Sequence, residues 1–220
     1  MSSWFPVLEP SFFHAAAFWL ALAFFSGPFR TRFVVGLLLG GALTRVAWAG
    51  FHFSLWLEAP WSLIDRSGGF SILGLPLGPL LVTPFLSAPG AGQVYRAAVT
   101  RALAPALAVA RLGCVVSGCC GGRVGAGGLA HPVAIYETVF WIGFGFMVHR
   151  VSDTKAAGLG CVALGGIRLA LEPLRSEPPL GPPDVDVSGV AALWILLGVA
   201  ALCFDHVVVS ASGREEKASA

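Results

Sequence analysis

Apolar residues run through this chain in long blocks, not in the short alternations of a half-buried strand. Blocks long enough to cross a bilayer, about 17 to 25 residues each, fall at about 12–29, 33–57, 69–88, 102–118, 132–148, 157–172 and 189–207. The pattern predicts an all-α integral membrane protein with about seven transmembrane helices. Polar residues gather between the blocks in short segments: "EAPWSLIDRSGG" (58–69), "SGCCGGRVGAGGLA" (117–130) and "EPLRSEPPLGPPDVD" (172–186). No internal repeat or linker divides the chain. Residues 1–210 therefore read as a single transmembrane domain, and 211–220 as a polar, frayed cytoplasmic tail.

The third block is the irregular one. "GGFSILGLPLGP" (68–79) carries four glycines and two prolines, too many for an unbroken helix, since each proline removes a backbone donor. At membrane depth such backbone survives only when it is buried in protein or lines a polar cavity. A broken helix or loop lining a central cavity is the expected outcome.

Composition agrees with the pattern. Of 220 residues, 56% are apolar and 12% charged, against about 25% charged in soluble domains; the mean hydropathy is +0.78. Basic residues orient the chain, because cytoplasmic loops collect Lys and Arg. With the N-terminus outside and the C-terminus cytoplasmic, eight fall on the cytoplasmic side (Arg30, Arg32, Arg96, Arg101, Arg150, Lys155, Arg214, Lys217) against three on the other (Arg66, Arg123, Arg175). The first ten residues carry Glu9 and no Lys or Arg, unlike a cleaved signal, so the first span reads as retained. The net charge of +2 forms no basic stripe, which excludes nucleic acid as an expected partner.

Charges inside the blocks carry the chemistry. Arg45, Arg111, Arg168, Glu172 and Arg175 lie in or beside apolar spans, and a charge at the bilayer centre costs at least about 2.5 kcal/mol. Each is a functional candidate, with a structural ion pair or snorkelling as the alternative. Arg168, Glu172 and Arg175 are spaced i, i+4, i+7, which predicts one helical face about 10 Å long, with Pro173 able to bend it. If Glu172 also pairs with Arg111, a second guanidinium is left to bind an anion, and the arginine fork suits phosphate or carboxylate.

"HPVAIYETVFW" (131–141) opens the fifth block, with Pro132 suited to a first helical turn. His131, Tyr136 and Glu137 can relay protons beside a cavity; a helix-capping histidine and an interfacial tyrosine are the alternative. Three readings of Cys114, Cys119 and Cys120 stay open. With His131 they form a four-ligand zinc set of no standard spacing; near Arg111 or Arg123 they are candidate reactive thiols; in "GCVVSGCCGG" they are small residues allowing close helix approach. Cys161 and Cys203 read as small core residues. No cofactor is expected.

With these motifs in order, the sequence resembles the prolipoprotein diacylglyceryl transferase family over about Arg45 to Arg175. The family signature, Gly-Arg-x-Gly-Asn-Phe-x-Asn-Gly-Glu followed by x-x-Gly-Arg, is matched in "ARLGCVVSGCCGGR" at Arg111, Gly113, Gly118, Gly122 and Arg123. Its two asparagines fall at Cys114 and Ser117, and its glutamate at Cys119. The family's His-Pro-Ser-Gln-Leu-Tyr-Glu is kept at His131, Pro132, Tyr136 and Glu137, and its Arg-x-x-x-Glu-x-x-Arg at Arg168, Glu172 and Arg175. "GALTR" matches a Gly-Ala-Arg element through Arg45. The family's histidine in Gly-Gly-x-Ser-x-His-Gly-Gly falls at Leu73, the tyrosine before the last arginine helix falls at Leu164, and "SFFHAAAFW" offers His14 where the family has tyrosine.

The resemblance implies a multi-pass protein of the bacterial plasma (inner) membrane. It would move the diacylglyceryl group of phosphatidylglycerol, or another anionic phospholipid, to the lipobox cysteine of a prolipoprotein, releasing glycerol phosphate. Arg111, Arg168, His131 and Glu137 would be catalytic. Arg111, Arg168, Arg175, Glu172, Tyr136 and Gly122 would hold the lipid phosphate. Two other functions fit the residues: a related phospholipid enzyme with another acceptor or a cysteine nucleophile, and a non-catalytic anionic-lipid binding or transport protein on the same scaffold.

Overall fold

The computed structural model describes residues 10–25, 29–63, 74–86, 90–118, 121–125, 127–176 and 187–218. It is 84% helical, with no strand among the described residues. The helices are α1 (Pro10–Phe24), α2 (Arg30–Phe51), α3 (Phe53–Glu58), α4 (Leu77–Val82), α5 (Ala91–Ser117), α6 (Val133–Val148), α7 (Asp153–Leu171) and α8 (Val187–Ala218). Three stretches, Arg30–Phe51, Ala91–Val116 and Asp153–Leu174, are long and apolar enough to cross a membrane; Phe12–Phe24, Val133–Val148 and Val187–Cys203 are shorter apolar helices.

Six of the seven apolar blocks carry a helix of 15 or more residues, and their punctuation moved. α2 stops at Phe51 and α3 restarts at Phe53, with His52 in the break. The His52 ring stacks on Trp48 at 5.0 Å, and its Nδ1 lies 3.1 Å from Trp48 O. α5 begins eleven residues before the expected 102, because Gln93, Arg96 and Arg101 are polar yet good helix formers. The described part of the Gly/Pro-rich third block holds only the six residues of α4 followed by a 3-10 turn at Thr83–Phe85; residues 68–73 of that motif lie outside the described set. α8 stays helical to Ala218, so the frayed tail expected at 211–220 is helical over 211–218, where Arg, Glu, Lys and Ala all favour helix.

α5 is the axis of the bundle. It packs against α1, α6 and α7, while α8 lies along α7 and α4 lies on α2. Missing side chains make two of these crossings possible. A Cβ at Gly78 of α4 would strike Gly36 O and the Gly40 backbone of α2, and one at Gly165 of α7 would strike Ala191 O of α8. Small residues let backbones approach where lipid supplies no hydrophobic drive for helix association. The irregular α4 segment is thereby buried against α2, with Gly78, Pro79 and Val82 buried.

Aromatic packing and an arginine latch fix one end. Phe25 stacks on Phe33 at 4.1 Å, and fully buried Tyr95 donates its hydroxyl to Arg32 O at 3.4 Å. Arg101 reaches the α6–α7 turn, donating to Val148 O (3.3 Å) and Val151 O (2.7 Å) and pairing with Asp153 (2.5 Å). The guanidinium thus satisfies carbonyls at the C-terminus of α6, where cations are favoured.

Candidate functional site

At the opposite end of the bundle α5 terminates at Gly118, whose φ of 65° is the left-handed geometry that stops a helix. The chain then forms a small hydrogen-bonded layer. Gly122 bridges Arg175 in antiparallel fashion; Arg123 N donates to Leu174 O (2.7 Å) and Ser176 N to Gly121 O (3.3 Å). The Ser176 hydroxyl also donates to Gly121 O at 2.8 Å. The same stretch folds back as a hairpin: Val124 bridges Ala130, Gly125 N donates to Leu129 O (2.9 Å), and His131 N donates to Arg123 O (3.0 Å). A Cβ at Gly122 would meet His131 O on one side and Leu174 O on the other. Only glycine fits where the α5–α6 loop, the start of α6 and the end of α7 are joined.

Beneath this layer three elements bring their charges together. Glu137 lies in the first turns of α6 with its side chain 3% exposed. Its Oε2 meets Arg111 Nε of α5 at 2.5 Å, as a charge contact off the line of an aligned hydrogen bond. Its Oε1 accepts from Arg175 Nη1 at 3.4 Å, and Arg175 is itself buried. Arg123 Nε donates to Arg175 O at 2.9 Å, so a further guanidinium is anchored at the rim. Arg168 pairs with Glu172 at 3.1 Å within the last turn of α7.

The expected Arg168–Glu172–Arg175 face is corrected by this geometry. α7 ends at Leu171, Glu172–Leu174 forms a 3-10 turn, and Arg175 is extended at φ −79°, ψ 146°. Pro173 cannot donate into an α-helical ladder, so the chain leaves the helix. Arg168 and Glu172 keep their i, i+4 pairing, whereas Arg175 turns to Glu137. The carboxylate that meets Arg111 is likewise Glu137, where the sequence pointed to Glu172.

The other candidates are dispersed. His131 is half-buried, and its Nε2 lies 3.3 Å from where a Gly125 Cβ would stand, under the hairpin. Tyr136 is 40% exposed on α6, one residue and about 100° around the helix from buried Glu137. Cys114 is a half-buried cysteine one turn beyond Arg111, whose Nη1 donates to its sulfur at 3.9 Å. Cys119, Cys120 and Leu73 lie outside the described residues. Among the described residues no three His, Cys, Asp or Glu side chains gather as a metal site. Leu164 is buried in the apolar core, and Arg45 is half-buried in α2. His14 is exposed on α1, next to Phe13, the residue that a Cβ at Gly113 of α5 would strike. Cys161 packs against the core as expected, but Cys203 is exposed on α8, facing away from the bundle.

Sequence reasoning missed the tie between Arg123 and the Arg175 carbonyl and the clamp of Ser176 on Gly121. Both join positions more than fifty residues apart, and no periodicity reports such a contact.

Fold and site together define a helical membrane protein with a buried arginine–glutamate centre where α5 and α7 end and α6 begins. No family model, curated protein or solved structure matches the chain.

Proposed function

We propose that this protein is a diacylglyceryl transferase of the bacterial inner membrane, spanning it about seven times with the N-terminus outside. Its substrates are phosphatidylglycerol, or another anionic phospholipid, and the lipobox cysteine of a prolipoprotein. The observation that carries this reading is the convergence of Arg111 and Arg175 on Glu137 beneath Gly122. The resemblance assigns Arg111, Arg175 and Gly122 to the lipid phosphate and Glu137, with Arg111, to catalysis. The broken α4 segment is read as one wall of the cavity the lipid enters.

In the reaction the acceptor thiolate attacks the glycerol carbon that carries the phosphate ester. A carbon–sulfur bond forms, the carbon–oxygen bond breaks with its electron pair, and glycerol phosphate leaves. The thiol proton passes to a base and can return to the departing phosphate. Guanidinium groups stabilise the charge that grows on the leaving oxygens, which is worth most where water is excluded. Both Glu137 oxygens already contact arginines, so its part is to hold those guanidiniums in place. His131, half-buried under the hairpin, is the proton acceptor in this scheme.

Cys114 supports a second reading, a related phospholipid enzyme with a cysteine nucleophile, since its sulfur lies 3.9 Å from Arg111 Nη1. The deciding experiment is transfer from labelled phosphatidylglycerol to a lipobox peptide by the purified protein, with Arg111→Lys and Arg111→Ala alongside. Thioether product that falls at least about 100-fold in Arg111→Ala, the loss typical of an electrostatic donor, supports the transferase. No product from the intact protein refutes it.

A further inference from the structure

The hairpin between α5 and α6 has an unusual surface for a loop at the end of a bundle. Residues 124–130, "VGAGGLA", carry no charge, and Val124 and Leu129 are 68% and 81% exposed. Such a tip in water would be an aggregation liability. Leu112 and Val116 of α5 and Ile135 and Val139 of α6, on the helix ends flanking the tip, are also exposed. At its base Arg123 is exposed, with Nε held on Arg175 O.

The length of α6 sets the depth of this tip. Its 16 residues rise about 24 Å at 1.5 Å each, short of the roughly 30 Å hydrocarbon core. The far end is fixed at the polar boundary by His149, Arg150 and the Arg101–Asp153 pair. His131 and the hairpin therefore stand where the bilayer is still apolar or just giving way to headgroups. Any tilt of α6 lowers them further. Backbone at that depth needs its polar groups bonded, and bonds among 121–125, 128–131 and 174–176 meet part of that need.

We infer that the hairpin formed by 121–125 and 127–131 is a lipid-contact surface lying in the headgroup-to-acyl boundary, with Val124 and Leu129 against glycerol and upper acyl groups and Arg123 at the depth of the phosphates. An apolar tip over an anchored arginine is the arrangement by which interfacial elements hold acidic or zwitterionic lipid. The inference stands apart from the transferase reading, since any function of this chain leaves the hairpin at that depth.

The test is site-directed photocrosslinking in nanodiscs of radiolabelled phosphatidylglycerol and phosphatidylcholine. A benzophenone side chain replaces Leu129 in one variant, exposed Val139 on α6 in a second, and exposed Ser152 in the α6–α7 turn in a third. These are surface positions, and circular dichroism checks that each variant keeps its helix content. Lipid label on the protein at position 129 is expected to reach at least half of that at 139 and about fivefold or more above that at 152. A yield at 129 equal to that at 152 overturns the inference. So does a crosslink at 129 that joins a second polypeptide and carries no lipid label.

Discussion

Replacing Glu137 by glutamine tests the centre of the site most directly. The variant keeps the shape of the side chain and removes its charge from a position 3% exposed, between two guanidiniums at 2.5 and 3.4 Å. Each contact, taken at about 4 Å between charge centres and an effective dielectric near 20, is worth about 4 kcal/mol. Against that stand the desolvation of the carboxylate, several kcal/mol, and repulsion between the arginines. The net loss expected for breaking a buried pair on one side is about 3–5 kcal/mol. Unfolding in mixed micelles by titration with SDS, followed by far-UV circular dichroism, measures it. The double variant Glu137→Gln with Arg175→Gln should recover at least about 1 kcal/mol relative to the sum of the singles, because contacting residues couple. A single-variant loss under about 0.5 kcal/mol, or strict additivity in the cycle, would refute the reasoning: Glu137 would then not be the counter-charge that holds this end together.

Two further outcomes follow from the same geometry. Gly122→Ala places a methyl between His131 O and Leu174 O, so it should cost about 1–3 kcal/mol and raise hydrogen exchange at Arg123, His131 and Ser176, whose amides join the layer; unchanged protection at all three would contradict the clamp. Cys114→Ala, Cys119→Ala and Cys120→Ala each should leave transfer within about threefold of wild type if His131 takes the proton, whereas loss of about 100-fold or more in any one marks that thiol as base or nucleophile and displaces the first reading.

Helix positions were legible because a bilayer imposes them: long apolar blocks with few charges have one stable outcome when backbone groups must bond within the segment. Their ends depended on single residues that hydropathy averages away. Pro173 stops α7 and sends Arg175 out of the helical face, and Gly118 stops α5. The members of the charge centre were also legible, since Arg111, Glu137 and Arg175 are costly wherever lipid is near. Their pairing was not. Spacing advertises only i, i+4 partners, and it found Arg168–Glu172. Glu137 meets residues 26 positions before it and 38 after it, contacts fixed by how α5, α6 and α7 cross.

Those crossings have a consequence for what this chain can change without unfolding. Tight contacts set helix positions both within the bundle, Gly78 on α2 and Gly198 on α7, and at the charged end, where Gly113, two residues from Arg111, meets Phe13 of α1 and Gly165, three from Arg168, meets Ala191 of α8. The charge centre stands where α5 and α7 have stopped and α6 has just begun, and backbone bonds of the 121–131 layer to 174–176 join it. Substitution in the loop after Gly118 therefore alters the surroundings of Arg111 and Glu137 while leaving the helix crossings intact. Cys114 lies before that loop, within α5 and next to Gly113, and its sulfur accepts from the Arg111 guanidinium at 3.9 Å. Leu164 is buried in the packed core. A polar group there would need a partner among apolar neighbours, so packing accounts for the leucine.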